Sequence, residues 1–458
     1  MKQPSPAFSW TFVILAALFL RPVAAQDGCS EIEVNEPPDS KGGKGDGYDP
    51  EETKRKNEGL AGGGGADEGD PDAPKVKMSL QERINEAIKR GVVWLKKAQH
   101  KDGSYGPCHG ERKYDSTEPG GDCYFSGPTS FSLYTLAKCG VKKSDPVMRK
   151  GYKWLNENYR KTQIWTDAVK PAGAEGSMVT YEVASLIMML EAMHEESAKL
   201  TGKQDMRKLE TDNPLQPPER SRFPKEDWQW MHQGILFLTS GKGPVKKGTT
   251  WNGCQNKTGG WRYGQASGDQ DMSATQFALL GLRAASLAGY PVRPEVWTSA
   301  LNFVKSMQDP SGASPYRKGE QWSAGMTAAA AASAIICKEQ LELSGQAVPA
   351  FTDELIKNSL AHLDTLFDVT QNQGTHHGGS YHYYYLYGIE RIGDLTGRNE
   401  FNGKNWYVRG AEFLIANQDV EGKWVDSSCM KPTDILGTCF ALLFLKRATV
   451  PTVTVTGN

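Results

Sequence analysis

Within Gly268-Asp269-Gln270-Asp271-Met272-Ser273, two carboxylates stand two residues apart just ahead of an apolar run. Carboxylates placed like this in an apolar surround can share one proton, which raises the pKa of one of them and fits it for general-acid work. The same aspartate has a plainer use. Asp271 immediately before a helix would accept hydrogen bonds from its free N–H groups, and the helix dipole would then lower its pKa. Capping is the favoured reading. A second cluster, His376, His377 and His382 among Tyr381, Tyr383, Tyr384 and Tyr385, is the densest group of histidines in the chain. Imidazoles ligate metals or move protons near neutral pH, although histidines among aromatic residues more often pack and hydrogen-bond. Asp269, Asp271 and His382 are therefore the candidate catalytic residues.

The elements that must hold these groups are repeated. A helix ending in Trp94-Leu95-Lys96-Lys97-Ala98-Gln99 is followed by Asp102-Gly103-Ser104-Tyr105-Gly106 and a second apolar helix from about Pro128 to Gly140. The pattern returns as Phe413-Leu414-Ile415-Ala416-Asn417-Gln418, then Glu421-Gly422-Lys423-Trp424, then a helix from about Thr433 to Arg447. Weaker copies lie between. They are Trp154-Leu155 with Thr180 to His194, Phe237-Leu238 with Gly259-Gly260-Trp261 and Met272 to Leu287, Phe303 to Gln308 with Gly312 and Thr327 to Lys338, and Leu363 to Phe367 with Gly378-Gly379-Ser380-Tyr381. Six helix pairs result, each with a glycine where the turn needs a positive φ and a polar residue to cap the second helix.

The second helices are the more apolar and carry small residues, as in Ala328 to Ala332, whereas the first helices mix Lys, Arg and Glu into one face. The second helices should therefore line the inside and the first the outside. The expected fold is all-α, a single closed (α/α)6 toroid. If its inner helices run parallel, their N-termini gather at one mouth with Asp102, Arg262, Arg317, His377 and Asp426, a setting that favours anions such as a diphosphate or an acidic sugar.

The turns Gln99 with Asp102-Gly103-Ser104-Tyr105, Gln418 with Glu421-Gly422-Lys423-Trp424, and Gly259-Gly260-Trp261 resemble the QW-type repeats of squalene and oxidosqualene cyclases and of protein prenyltransferase β subunits. The likeness runs from about Ser79 to Ala448 and is similar to that of secreted bacterial proteins with prenyltransferase/squalene-oxidase repeats. It implies terpenoid-cyclase-like or prenyltransferase-like chemistry on an apolar ligand in a central cavity. Asp269-Gln270-Asp271-Met272 matches the acidic cyclase motif except that Met272 replaces its last aspartate. Phe277, Trp322 and Tyr383 would serve as cation-stabilising walls, with Trp261, Arg262, His377 and Asp426 in the cavity or at its mouth. His382 matches the prenyltransferase zinc-ligand histidine, with Asp271 beside it in the ligand set. No thiolate stands in the paired position, so zinc is disfavoured. The competing expectation is a noncatalytic extracytoplasmic binding or scaffold protein, and a polysaccharide-active toroid is a weaker third. No Walker loop, serine-nucleophile elbow, HExxH or thioester motif occurs.

The chain has 458 residues, 38% hydrophobic content and a net charge of -1, enough for a large core and without the basic excess of a nucleic-acid binder. Lys2, the apolar run Phe8 to Leu20 and Val23-Ala24-Ala25 read as a secretory signal over residues 1–25, too short to span a bilayer. Export to a periplasmic or extracellular space follows. Residues 26–78 are acidic, Pro-rich and Gly-rich, the composition of a disordered linker; 79–448 form the toroid and 449–458 a tail. Cys108 and Cys123 flank a polar loop and would pair if oxidised, whereas Cys139, Cys337 and Cys439 read as buried small hydrophobes.

Overall fold

The computed structural model describes residues 78–105, 127–160, 179–199, 217, 223–240, 255, 258–262, 270–374, 381–426 and 433–448. Twelve helices occur among them: α1 (Leu80–Lys97), α2 (Gly127–Lys138), α3 (Pro146–Leu155), α4 (Val179–Lys199), α5 (Lys225–Ser240), α6 (Met272–Leu287), α7 (Pro294–Met307), α8 (Ala324–Leu343), α9 (Thr352–Leu366), α10 (His382–Thr396), α11 (Trp406–Ala416) and α12 (Thr433–Lys446). A two-stranded hairpin, β1 (Glu400–Phe401) with β2 (Lys404–Asn405), precedes α11. The capping box read at Ser79 and Glu82 is formed at the start of α1.

The even-numbered helices make the inner ring. Each packs on the next, α2 on α4, α4 on α6, α6 on α8, α8 on α10 and α10 on α12, and α12 returns to α2. The odd-numbered helices pack outside them, α1 closing the circle by lying on α12 and α11. Such closure buries every inner helix on all sides, which is why their sequences are apolar throughout rather than amphipathic. This domain is an all-α, single (α/α)6 toroid. Small residues let the inner helices approach closely: a Cβ on Gly281 of α6 would lie 2.9 Å from the Ala184 Cα of α4.

One polar device joins successive units. Gln99, Gln255 and Gln418 each donate from Nε2 to the carbonyl of the turn glycine (Gly103, Gly259, Gly422) and to a carbonyl of the next outer helix (Val147, Val296, Ala87). Gln308 makes the corresponding bond to Leu355 O of α9. The Gln418 clamp reaches α1 and so ties the last unit to the first. The turn glycines have φ near +100°, and at Gly259 a Cβ would stand 1.8 Å from Ser299 O. Any side chain there needs both a left-handed backbone and a displaced helix.

The residue after each turn points into the wall. Tyr105, Trp261, Ser314 and Trp424 donate their backbone N–H at 3.0 Å to Thr129, Thr275, Thr327 and Thr438, one threonine in an early turn of each following inner helix. Trp261 and Trp424 are fully buried, and their indole N–H groups donate to Leu238 O and Leu414 O. Cys337 and Cys439 are buried free thiols and Cys139 is a half-buried one, while Cys108 and Cys123 lie outside the described residues.

Candidate functional site

The inner helices run parallel. The N-terminal ends of α4, α6, α8 and α10 each touch the loop that leads into the next inner helix: Thr180 Oγ1 donates to Arg262 O, Met272 N to Tyr316 O, Ala324 N to Gln373 O and Tyr383 N to an Asp426 carboxylate oxygen. One mouth of the ring is thus the turn end, and the opposite mouth holds the inner C-termini.

At the turn end Asp271 is the N-cap of α6. It is fully buried, and its Oδ1 accepts from Ala274 N at 2.7 Å and Ser273 Oγ at 2.9 Å. Its Oδ2 accepts from Arg262 Nη1 at 2.8 Å, and the same nitrogen reaches Tyr316 OH at 2.7 Å. Burial pushes the Asp271 pKa up, against the opposing pull of Ala274 N–H and the Arg262 guanidinium. The lowering expected from the helix dipole is therefore overridden by desolvation. Asp269 and His377 lie outside the described residues.

The other candidates separate. His382 opens α10, donates from Nε2 to Val369 O at 2.8 Å and packs 4.9 Å from Phe413, and burial lowers its pKa. Among the described residues no group of three His, Cys, Asp or Glu side chains is placed to hold a metal. Asp426 supplies α10 with the cap that Tyr381, at φ +60°, does not provide. Tyr383 stacks on His382, and Trp322 packs edge-on against His362 of outer helix α9. Asp102 is held in its own turn by Ser104, and Arg317 is half-buried near Glu320.

Phe277 has a different setting. It lies 6.0 Å from Phe131 of α2, 5.1 Å from Tyr181 of α4 and 6.3 Å from Tyr384 of α10. Phe131 also meets Phe440 of α12 at 5.2 Å and Tyr387 of α10 at 6.4 Å. Tyr384 OH donates to Gln276 Oε1 of α6, across the ring from its own helix. The axis is thus crossed by interlocked aromatic side chains from five inner helices. Each such pair adds roughly 0.5–1.5 kcal/mol beyond the area it buries.

At the C-terminal mouth a cleft opens between α2, α4, α6 and α10. Lys138 pairs with Glu191 at 3.4 Å, and Arg283 makes a two-point bond to Glu339 at 2.7 and 3.0 Å. Arg391 lines the same cleft, is 4% exposed, and has its guanidinium carbon 3.9 Å from the Tyr387 ring centre. Its Nε and Nη2 are buried without a hydrogen-bond partner among the described residues. Burial, with Arg283 nearby, lowers its pKa to about 10. A second buried network, also absent from the reading of the sequence, links Asp227 to His194 Nε2 at 2.9 Å and to Tyr152 OH; it joins α3, α4 and α5.

The sequence matches no protein-family model and no curated protein. Among solved structures it is similar to a possible member of the GH105 family from Salmonella enterica, at 12% identity and TM-score 0.47 over 82% of this chain and 97% of that one. A possible GH105 member from Klebsiella pneumoniae gives 13% and 0.47 over 84% and 98%. The type II terpene cyclase MstE of Scytonema, in complex with geranylgeranyl dihydroxybenzoate, gives 11% and 0.43 over 81% and 97%. The ring itself rests on this chain's own helix contacts.

Proposed function

We propose that this chain is an exported, noncatalytic ligand-binding toroid, whose ring is a rigid frame and whose mouths do the recognition. The observation that carries the reading is the aromatic bridge, where Phe131, Phe277, Tyr384 and Phe440 from four inner helices meet at 5.2–6.3 Å and narrow the path that a threaded isoprenoid chain would take. The state of Asp271 supports it too. Its oxygens are engaged by a cap N–H, a hydroxyl and a guanidinium, so the side chain has structural work that accounts for its burial. The run Phe8 to Leu20 with Val23-Ala24-Ala25 supports export.

A second reading, an acid-initiated cyclase or a related enzyme of the prenyltransferase/squalene-oxidase repeat group, is favoured by one observation: burial raises the Asp271 pKa beside an aromatic wall. Incubating the full chain with squalene and with geranylgeranyl diphosphate, followed by mass-spectrometric analysis of the extract, separates the two. Both compounds should be recovered unchanged. A cyclised or transferred product that disappears in Asp271→Asn would overturn the binding reading.

A further inference from the structure

Three cations, Lys138, Arg283 and Arg391, line the cleft at the inner C-termini together with one carboxylate, Glu191. Lys138 faces Glu191 at 3.4 Å, and Arg283 is held at two points by Glu339. Arg391 is placed differently. Its sequence neighbour Glu390 is bonded to Asp394, its guanidinium lies over the Tyr387 ring, and the nearest charge acting on it is the like charge of Arg283. With a pKa of about 10 it keeps its proton at neutral pH. Its buried Nε and Nη2 have no partner among the described residues, and an unsatisfied charged donor forfeits the full desolvation penalty. The Tyr387 face offsets part of that cost without filling the hydrogen bonds.

The free space in the cleft is about 30 Å3, room for about one water. That size leaves no place for phosphate, a carboxylate-bearing molecule or any other polyatomic anion. A water would fill the space and accept a hydrogen bond, but it brings no charge to a buried cation. A monatomic anion little larger than water does both, because Nε and Nη2 share one edge of the guanidinium and can donate together to a single acceptor. We propose that this cleft holds one halide ion, chloride in ordinary solutions, on the Nε/Nη2 edge of Arg391, with Arg283 and Lys138 adding to the positive field. Glu191 and the negative ends of the inner helices oppose the ion, so its binding is weak, in the millimolar range. The site goes beyond the ligand-binding reading above and does not rest on it.

The full chain is melted in sodium gluconate as chloride replaces gluconate at constant ionic strength, and crystals grown without chloride are soaked in sodium bromide for anomalous diffraction. Chloride should raise the melting temperature of the parent saturably, and bromide should give an anomalous peak against Arg391 Nε and Nη2. Arg391→Met should melt higher than the parent in gluconate, show no response to chloride and lose the peak. Arg391→Lys, which keeps the charge but not the paired donors, should need at least tenfold more chloride for the same response. A chloride response or a bromide peak that survives Arg391→Met overturns the proposal, as does a parent that melts alike in chloride and gluconate. A bromide peak without a chloride response in solution marks an adventitious ion only, and a water in that place without a bromide peak also overturns the site. None of these outcomes depends on whether squalene or geranylgeranyl diphosphate is turned over, so the site and the noncatalytic reading can fail separately.

Discussion

The two mouths of the ring differ in the groups they bury. At the turn end the clamp glutamines bond to carbonyls, threonines to turn N–H groups, Asp271 to a helix start and Arg262, and Asp426 to α10, while the buried hydroxyls of Tyr105 and Ser314 have no partner among the described residues. At the C-terminal end Lys138, Arg283 and Arg447 are paired with Glu191, Glu339 and Asp394, and the buried Nε and Nη2 of Arg391 have no hydrogen-bond partner among the described residues. A satisfied polar group fixes a structure, whereas an unsatisfied buried one costs stability. The repeat motifs mark the frame.

Substitutions at the two ends should move stability in opposite directions. The largest loss is expected for Gly259→Ala, which needs a left-handed alanine and drives its Cβ into Ser299 O; denaturant unfolding should show a drop of about 3–5 kcal/mol. At the other end Arg391→Met should raise stability by about 1–4 kcal/mol, since a buried charge gives way to an apolar side chain of similar volume. A fall there would mean that the guanidinium already has a partner. Gln418→Ala opens the clamp from the last unit to α1 and should cost about 1–2 kcal/mol through two lost hydrogen bonds, with the carbonyls of Gly422 and Ala87 left to water.

The smallest effect concerns pH. His232 and His382 have pKa values lowered by burial, so the fold favours their neutral forms. The stability this confers is present above the ordinary histidine value of about 6.5 and is lost as pH falls through it toward the folded value. Asp227, whose carboxylate form is favoured by His194 and Tyr152 over the cost of burial, adds a further loss at lower pH. Melting temperatures taken from about pH 7.5 down to 5 should therefore decline, and His232→Gln should flatten the slope. An unchanged slope would place the loss elsewhere.

Much of this frame was legible from residue order. A glutamine, a glycine and an aromatic at fixed offsets announced the turns after Gln99 and Gln418, and the apolar second helices announced the inner ring. Gln255 was not read because residues 241–254 separate it from α5, which breaks the helix-end pattern that exposes Gln99 and Gln418. The aromatic bridge was hidden for another reason: inner helices are apolar on every side, so nothing in their periodicity distinguishes Phe131 and Phe440, which face the axis, from neighbours that face the wall. Arg391 was masked by Glu390 beside it. Adjacent opposite charges on a helix read as a solvated face, and only the packing turns Glu390 toward Asp394 and Arg391 toward the cleft. Asp271 and His382, the most conspicuous groups in the sequence, stand at the starts of α6 and α10, as a cap and as a donor to Val369 O.

The contrast between the mouths is tested most directly by denaturant unfolding of Gln418→Ala and Arg391→Met beside the parent chain. Gln418→Ala should be the less stable protein and Arg391→Met the more stable one. A loss of stability in Arg391→Met, or none in Gln418→Ala, would contradict the account.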